Sequence, residues 1–169
     1  MAENLYEPHS VRTFTGKYVD FKNPQPDMFD IADIAHALSN IPRFGGHLPT
    51  WYSVADHSLL VASLVSVEFR FDALMHDATE AYLMDMPKPL KNLLPDYREL
   101  EGKVFSVLAE KFNLSCPVPS EVKVADNEAL EMEWERLMIE ILPGWETLSR
   151  QEAEDKYLLE YKKYARGKE

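Results

Sequence analysis

The sequence predicts an all-α fold, a single domain of about six helices with a small β-hairpin near its N-terminus. Apolar residues recur at spacings of three and four in several separate segments, which is the periodicity of amphipathic helices. Clusters of proline and glycine separate these segments, as is typical of loops. The 169 residues, of which 46% are hydrophobic, can form one hydrophobic core but are too few for two domains of ordinary size.

Residues 1–26 form the predicted N-terminal extension. Within it, Thr15-Gly16 is a turn signal that predicts a hairpin over residues 11–21. Prolines end the hairpin, because proline lacks the amide that a strand uses for pairing. A first helix is then expected over residues 27–40, and a loop rich in proline and glycine over 41–50.

A capping box marks the start of the second helix. In Ser53-Val-Ala-Asp56 the serine can accept from a free backbone amide, while the acid lies in the positively polarised first turn. A third helix is predicted over residues 71–84. Pro87 and Pro89 then leave residues 86–91 as a stiff, partly basic loop.

The second half of the chain predicts three more helices. The fourth covers residues 97–113 and the fifth residues 120–141, and the last opens with the capping box Ser149-Arg-Gln-Glu152. The domain therefore divides into a helical core over 27–141 and a C-terminal helix over 149–165. The last helix is rich in tyrosine, which suits either core packing or the face of a homodimer or higher homo-oligomer.

Composition excludes several classes of partner. The formal net charge of −11 would repel a long nucleic acid, although a bound cation can still accommodate a small phosphorylated ligand. Cys116 is the single cysteine, so no intrachain disulfide can form. The longest apolar run, residues 59–65, is far too short to span a bilayer, and no secretory leader is recognisable. A cytoplasmic protein without membrane contact is expected.

Four polar residues stand out in segments that are otherwise apolar. His57 lies on the inward face of the second helix, His76-Asp77 in the third, and Asp126 on the inward face of the fifth. A buried carboxylate is costly, so it normally pairs, becomes neutral or binds a metal. For Asp126 alone, an ion pair with Lys123 remains an alternative. Two imidazoles and two carboxylates together suit a divalent metal with open coordination positions.

The order of these motifs resembles the HD-domain phosphohydrolases. The chain carries Asp56-His57, then Leu-Met-His76-Asp77-Ala-Thr-Glu80, then Lys-Val-Ala-Asp126. Among the family it is similar to small one-domain members that act on deoxynucleotides, namely the 5′-deoxynucleotidases and phage-type enzymes that release triphosphate from dATP. The resemblance runs from about His36 to Glu135 and is more specific than the His-Asp dipeptide alone.

The resemblance implies a fold, a metal and roles for six residues. The fold is an all-helical bundle with the metal at its centre. The implied metal ligands are His57, His76, Asp77 and Asp126. Glu80 is expected to orient or deprotonate a water whose pKa the metal brings from about 15.7 towards 7, and Asp85 to help protonate the departing oxygen.

Substrate contacts are expected before His57 and in the proline-rich loop. Arg43-Phe44 is similar to an arginine–aromatic pair that contacts phosphate and the sugar or base in the deoxynucleotidases. This chain departs from that pattern, because Phe replaces Trp and Gly45-Gly46-His47 follows. His47 is a further candidate contact, and Lys88 and Lys91 are candidates for phosphate. Packing or surface roles remain open for Phe44, His47 and both lysines.

One divalent transition metal per chain is expected. Binuclear relatives need additional histidines after the His-Asp pair, and none of the five histidines follows His76. Zinc, cobalt, manganese, iron or nickel would each suit the ligand set, so the sequence leaves the identity of the metal open.

The expected function is a metal-dependent 5′-deoxynucleotidase that removes phosphate from deoxynucleoside monophosphates. The main alternative is a dNTP triphosphohydrolase, and the small number of basic residues near the site mildly favours the monophosphate. A non-catalytic nucleotide sensor is a third reading, against which Glu80 and Asp85 argue. A structural metal site fits poorly, because such sites are usually closed by cysteine and histidine ligands.

Overall fold

A computed structural model describes residues 8–140, 145 and 147–165 of the chain. Residues 1–7 of the predicted N-terminal extension and residue 141 at the end of the predicted core lie outside this range. The described part is mostly helical and carries a small two-stranded antiparallel hairpin, which confirms the predicted all-α class. None of its helices is long and apolar enough to cross a membrane.

The hairpin pairs β1 (Ser10–Arg12) with β2 (Tyr18–Asp20), and Val11 lies opposite Val19. Gly16 has a φ of 89° in the connecting turn, a conformation that glycine adopts without a steric penalty. Val19 is fully buried and joins the main core, and Thr15 in the connecting turn donates two hydrogen bonds to Asp33. The hairpin is therefore anchored to the helices by packing and by hydrogen bonds.

Eight helical segments follow within the described residues, and some are only one turn long. They are α1 (Ile31–Asn40), α2 (Val54–Leu64), α3 (Arg70–Met75), α4 (Glu80–Leu83), α5 (Lys88–Lys91), α6 (Pro95–Phe112), α7 (Ser120–Glu133) and α8 (Arg150–Ala165). Three short 3-10 turns lie at Pro26–Met28, Arg43–Gly46 and Val67–Phe69, and a π-helical turn covers Trp134–Ile139.

The first helix starts later than predicted. Residues 27 and 28 belong to a 3-10 turn, and α1 begins at Ile31. Asp30 precedes it with extended dihedrals and accepts a hydrogen bond from the amide of Ala32. The predicted start at residue 27 was wrong. Asp30 is the N-cap residue, which has a non-helical conformation, so the helix begins only after it.

The predicted capping box starts α2 and places this helix at the centre of the fold. The amide of Asp56 donates to Ser53 Oγ at 3.1 Å, and the amide of Ser53 donates to the Asp56 carboxylate at 2.9 Å. The helix packs against α1, α3, α7 and α8. Residues on α2 can therefore meet side chains from both halves of the chain.

The third predicted helix, over 71–84, is wrong as one continuous element. It consists of α3 and α4, separated by a turn at residues 76–79. The amides of Ala78 and Glu80 donate to carbonyls three residues earlier, which is the tighter 3-10 pattern, and His76 Nδ1 donates to the carbonyl of Ala73. His76, Asp77 and Glu80 therefore do not line one side of a regular helix.

The segment at 86–91 was predicted as a loop, but residues 88–91 form the one-turn helix α5. Pro87 precedes this helix and Pro89 lies in its first turn. Both prolines are tolerated there, because the first amides of a helix have no intrahelical partner. The prediction of a loop at 86–91 was wrong because it did not consider that proline is allowed at the start of a helix.

The fourth, fifth and last helices agree closely with the sequence, although the π-helical turn after α7 was not expected. The amide of Glu152 donates to Ser149 Oγ at 3.3 Å, as its capping box predicts. On α8, Tyr157 is fully buried and donates to the carbonyl of Leu74 at 2.8 Å. Tyr161 packs against Phe71 and Phe112. Two of the tyrosines in the last helix therefore contribute to the core of the chain.

Candidate metal centre

His57 lies in the middle of the candidate site and is fully buried on α2. Its Nε2 atom is 3.1 Å from Asp126 Oδ1, on α7, and 3.6 Å from Asp77 Oδ2 in the turn after α3. In the described residues Asp126 contacts the two histidines, so they are its partners rather than Lys123. The packing of α2 against α3 and α7 produces this convergence.

His76 directs its second nitrogen at the same point. Because Nδ1 donates to the carbonyl of Ala73 at 2.7 Å, the neutral ring has its lone pair on Nε2. That atom is 3.2 Å from Asp77 Oδ2 and 3.8 Å from Asp126 Oδ1. Within the described part of the chain it is buried and has no hydrogen-bond partner. A buried imidazole nitrogen with a lone pair and no hydrogen-bond donor is suited to bind a metal.

The spacing of these atoms fits a small divalent metal. Ligand atoms of His57, His76 and Asp126 all lie within 4.8 Å of one another. Bonds of about 2.0–2.2 Å in tetrahedral or octahedral geometry place neighbouring ligand atoms about 2.8–3.6 Å apart. The four distances from the histidine Nε2 atoms to the carboxylate oxygens of Asp77 and Asp126 lie between 3.1 and 3.8 Å. The side chains would therefore need to move only slightly to bind a common metal ion.

The electrostatics of the cluster favour positive charge between the ligands. Burial lowers the pKa of His57, but its contacts with Asp126 and Glu133 outweigh burial and raise the pKa above the ordinary value. Burial likewise lowers the pKa of His76, and the charge of Asp77 raises it by more. The histidines hold the pKa of Asp77 and Asp126 well below the usual range despite burial. The same field would hold a cation.

A second layer of contacts surrounds His57. Glu133, the last residue of α7, is fully buried and lies 2.6 Å from His57 Nδ1. Tyr52 and Arg43 also donate to this carboxylate, at 3.0 and 3.2 Å. Sequence reasoning missed both Glu133 and Tyr52. Glu133 stands two turns beyond Asp126 on one face of α7, and that spacing was the available signal.

Two further acids lie beside the centre. Glu80 is buried, and its Oε2 has no hydrogen-bond partner among the described residues. Burial and the charges of Asp77 and Asp85 raise the pKa of Glu80 well above its ordinary value. Burial also raises the pKa of Asp85, and Arg43, 3.4 Å away, limits the rise.

Arg43 and Phe44 lie in the 3-10 turn before α2. Backbone bonds between the segments at residues 41–43 and 52–54 hold this turn against the start of that helix. Phe44 has a φ of 54°, which is unusual for a residue with a side chain, and Arg43 is buried against Glu133 and Asp85. The Phe44 ring lies 6.1 Å from that of Trp134, at the start of the π-helical turn. The turn thus places the Arg43 cation beside Glu133 and Asp85, and the Phe44 ring next to that of Trp134.

The remaining predicted substrate contacts are less closely tied to the centre. His47 and Lys88 are exposed, and no contact within the described residues places either of them at the candidate metal ligands. Lys91 pairs with Glu101 at 2.6 Å. The charges of Glu101, Glu80 and Asp77 raise the pKa of Lys91 despite its partial burial. Of these three residues, Lys91 is therefore the one whose charge acts on the centre.

No protein-family model matches the chain. It is 51% identical over 116 residues to an Escherichia coli protein named "Uncharacterized protein YfdR", a match that covers 69% of this chain and 65% of the relative. The chain thus spans slightly less than two thirds of that relative. It is also 33% identical over 140 residues to "Uncharacterized protein RCAP_rcc00048" of Rhodobacter capsulatus, covering 75% of this chain and 71% of the relative. By this identity and coverage, the chain belongs to the same family as the Rhodobacter capsulatus protein.

Proposed function

We propose that this protein is an HD-domain phosphohydrolase that uses a divalent metal to remove phosphate from deoxynucleoside 5′-monophosphates. One observation carries the proposal. His57, His76, Asp77 and Asp126 converge from three parts of the chain on one point, where a buried histidine nitrogen has no partner in the described residues. The order of these residues along the chain is the order that the HD-domain motifs have.

The four residues would act as metal ligands. The chemistry that a divalent cation supplies at such a site is acidification of water and neutralisation of charge on phosphoryl oxygens. With three to four protein ligands, coordination positions stay open for water and substrate. Two carboxylates in the set distinguish it from a closed structural zinc site.

Glu80 and Asp85 would move protons. Glu80 is a buried carboxyl with a free oxygen and a raised pKa, which suits a group that takes a proton from water near neutral pH. Asp85 also has a raised pKa and would donate a proton to the departing sugar oxygen. These two acids make a hydrolytic role better supported than that of a nucleotide sensor.

The scarcity of free cations favours a monophosphate over a triphosphate. Arg43 already faces two carboxylates, and Lys91 pairs with Glu101. Each phosphate group of a nucleotide adds negative charge that metal and side chains must balance. A dNTP triphosphohydrolase would have to balance more negative charge with the same residues, which mildly favours the monophosphate.

A substrate panel tests the proposal. Protein loaded with Mn²⁺, Co²⁺ or Zn²⁺ would be incubated with dNMPs, dNTPs and ribonucleotides, and phosphate, pyrophosphate and triphosphate would be resolved as separate products. We expect orthophosphate from dNMPs. Triphosphate released from a dNTP would favour the alternative enzyme, and nucleotide binding without any product would support a sensor and overturn the proposal.

A further inference from the structure

Glu133 is the most completely enclosed acid beside the candidate metal centre. The residue has no exposed surface, and three groups meet its two carboxylate oxygens. His57 Nδ1 and Tyr52 Oη lie 2.6 and 3.0 Å from Oε1, and an Arg43 guanidinium nitrogen lies 3.2 Å from Oε2. A carboxylate without such partners would be costly to bury. These contacts therefore hold Glu133 in one orientation.

The carboxylate decides which nitrogen of His57 carries the proton. An ionised carboxylate can only accept, so the short contact to Glu133 requires the proton on Nδ1. The Nε2 lone pair then points towards Asp126, Asp77 and the free Nε2 of His76. Without Glu133, Asp126 at 3.1 Å would compete for the proton and draw it to Nε2, where it would block coordination.

From this geometry we propose that Glu133 is a positioning residue, which fixes the tautomer and ring orientation of His57 so that Nε2 can bind a divalent metal. The proposal rests on the metal centre of the proposed function and adds a residue outside its ligand set. Tyr52 and Arg43 hold Glu133 in turn. Because Arg43 also meets Asp85, Glu133 connects the turn before α2 to the metal ligands.

Co²⁺ affinity tests this role without any substrate. The apo-protein would be titrated with Co²⁺ and followed by its visible absorption bands, for the wild type and for Glu133→Gln and Glu133→Met. Glutamine keeps one acceptor and loses the charge, whereas methionine removes both at similar volume. We expect affinity to fall about 10-fold for glutamine and up to about 100-fold for methionine, as when outer-shell partners of metal-binding histidines are lost.

Two control variants separate positioning from general stability. Glu131→Gln changes an exposed acid on the same helix and should leave Co²⁺ affinity unchanged. Tyr52→Phe removes one hydrogen bond to Glu133 but keeps the contact between Glu133 and His57. Its effect on Co²⁺ affinity should therefore be smaller than that of Glu133→Gln. If Glu133→Met does not fold, the Co²⁺ affinity of Glu133→Gln tests the positioning role, since glutamine has the same shape as glutamate.

Histidine NMR provides a readout that a merely structural role would not change. At a pH above the raised pKa of His57, long-range ¹H–¹⁵N spectra of the apo wild type should show the neutral ring with its proton on Nδ1, and the Glu133 variants should shift the population towards Nε2–H. Folded variants with wild-type Co²⁺ affinity and an unchanged tautomer would overturn the proposal. If affinity and tautomer change as expected but no nucleotide is hydrolysed, the proposed function fails while the role of Glu133 stands.

Discussion

At the scale of single residues, Glu80 differs from the acids around it because one of its oxygens is buried without a hydrogen-bond partner among the described residues. Asp77 and Asp126 contact histidines, and Asp85 contacts Arg43. Glu80 Oε2 has no hydrogen-bond partner in the described part of the chain, although it is buried. A buried acid kept in this state is typical of a group with a role in catalysis rather than in folding.

The ligands and the neighbouring acid should respond differently to mutation. Asp77→Ala should lose bound metal and activity together, because it removes a proposed ligand. Glu80→Ala should keep the metal and lose about 10²–10⁴-fold in kcat, the usual contribution of a general acid or base. Metal content by mass spectrometry and dNMP turnover check both. Glu99→Ala, an exposed acid on α6, is the control, and a Glu80 variant with normal turnover would contradict the assigned role.

The sequence predicted the residues that converge at the centre, but only part of their surroundings. Histidine and aspartate on apolar helix faces are visible in a sequence, because they interrupt a pattern. Glu133 was missed although it shares a helix face with Asp126, since it lies in an acid-rich stretch where a solvated surface is the ordinary expectation. The packing of α7 against α2 shows that Glu133 is buried.

At the scale of elements, the capping box of α2 should contribute measurably to stability. Ser53→Ala would leave the buried amide of Asp56 without its acceptor, so we expect a loss of about 1–2 kcal/mol in the free energy of unfolding. Ser149→Ala removes the equivalent contact on α8 where water can replace it, and should cost about 0.5 kcal/mol. Urea unfolding of both variants measures the difference, and equal losses would contradict the argument.

The cap of α1 should make stability depend on acid pH. The hydrogen bond from the amide of Ala32 lowers the pKa of Asp30, with Lys17 contributing. A lowered pKa means that the stabilisation is present above the unfolded value of about 3.9 and is lost as pH falls through the folded value. Asp30→Asn keeps an acceptor without a titrating group. Its unfolding free energy should fall less than that of the wild type between pH 5 and about pH 2, and parallel pH curves would contradict this.

Helices that begin at a capping box were predicted well, whereas the helix predicted over 71–84 is interrupted by a turn. The capping boxes at Ser53 and Ser149 locate α2 and α8, because a capping side chain must stand at the first turn. The turn at 76–79 carries no such mark. Its apolar spacing fits an α-helix, and the difference lies in hydrogen bonds to the third rather than the fourth preceding carbonyl. Hydrophobic periodicity does not distinguish these two patterns over four residues.

At the scale of the whole molecule, the candidate centre joins segments that are distant in the sequence. His57 comes from α2, Asp77 from the turn after α3, and Asp126 from α7. The chain also carries a net charge of −11, and the centre gathers several of its carboxyl groups. A divalent ion bound to His57, Asp77 and Asp126 would link α2, the turn after α3 and α7 to one another. A bound divalent ion would therefore stabilise the entire fold as well as the site.

Removal of the metal should consequently lower the melting temperature. A ligand that binds the folded chain alone stabilises it by about 2.7 kcal/mol when its free concentration is 100 times its Kd. For a chain of this size we expect a fall in Tm of roughly 5–10 °C after chelation and recovery on adding Co²⁺ or Zn²⁺. Differential scanning calorimetry would measure this in the wild type and in Asp126→Asn. The variant controls for direct effects of the chelator, because it lacks one proposed ligand and its Tm should change much less. Equal changes in both proteins would mean that the stabilising ion binds elsewhere.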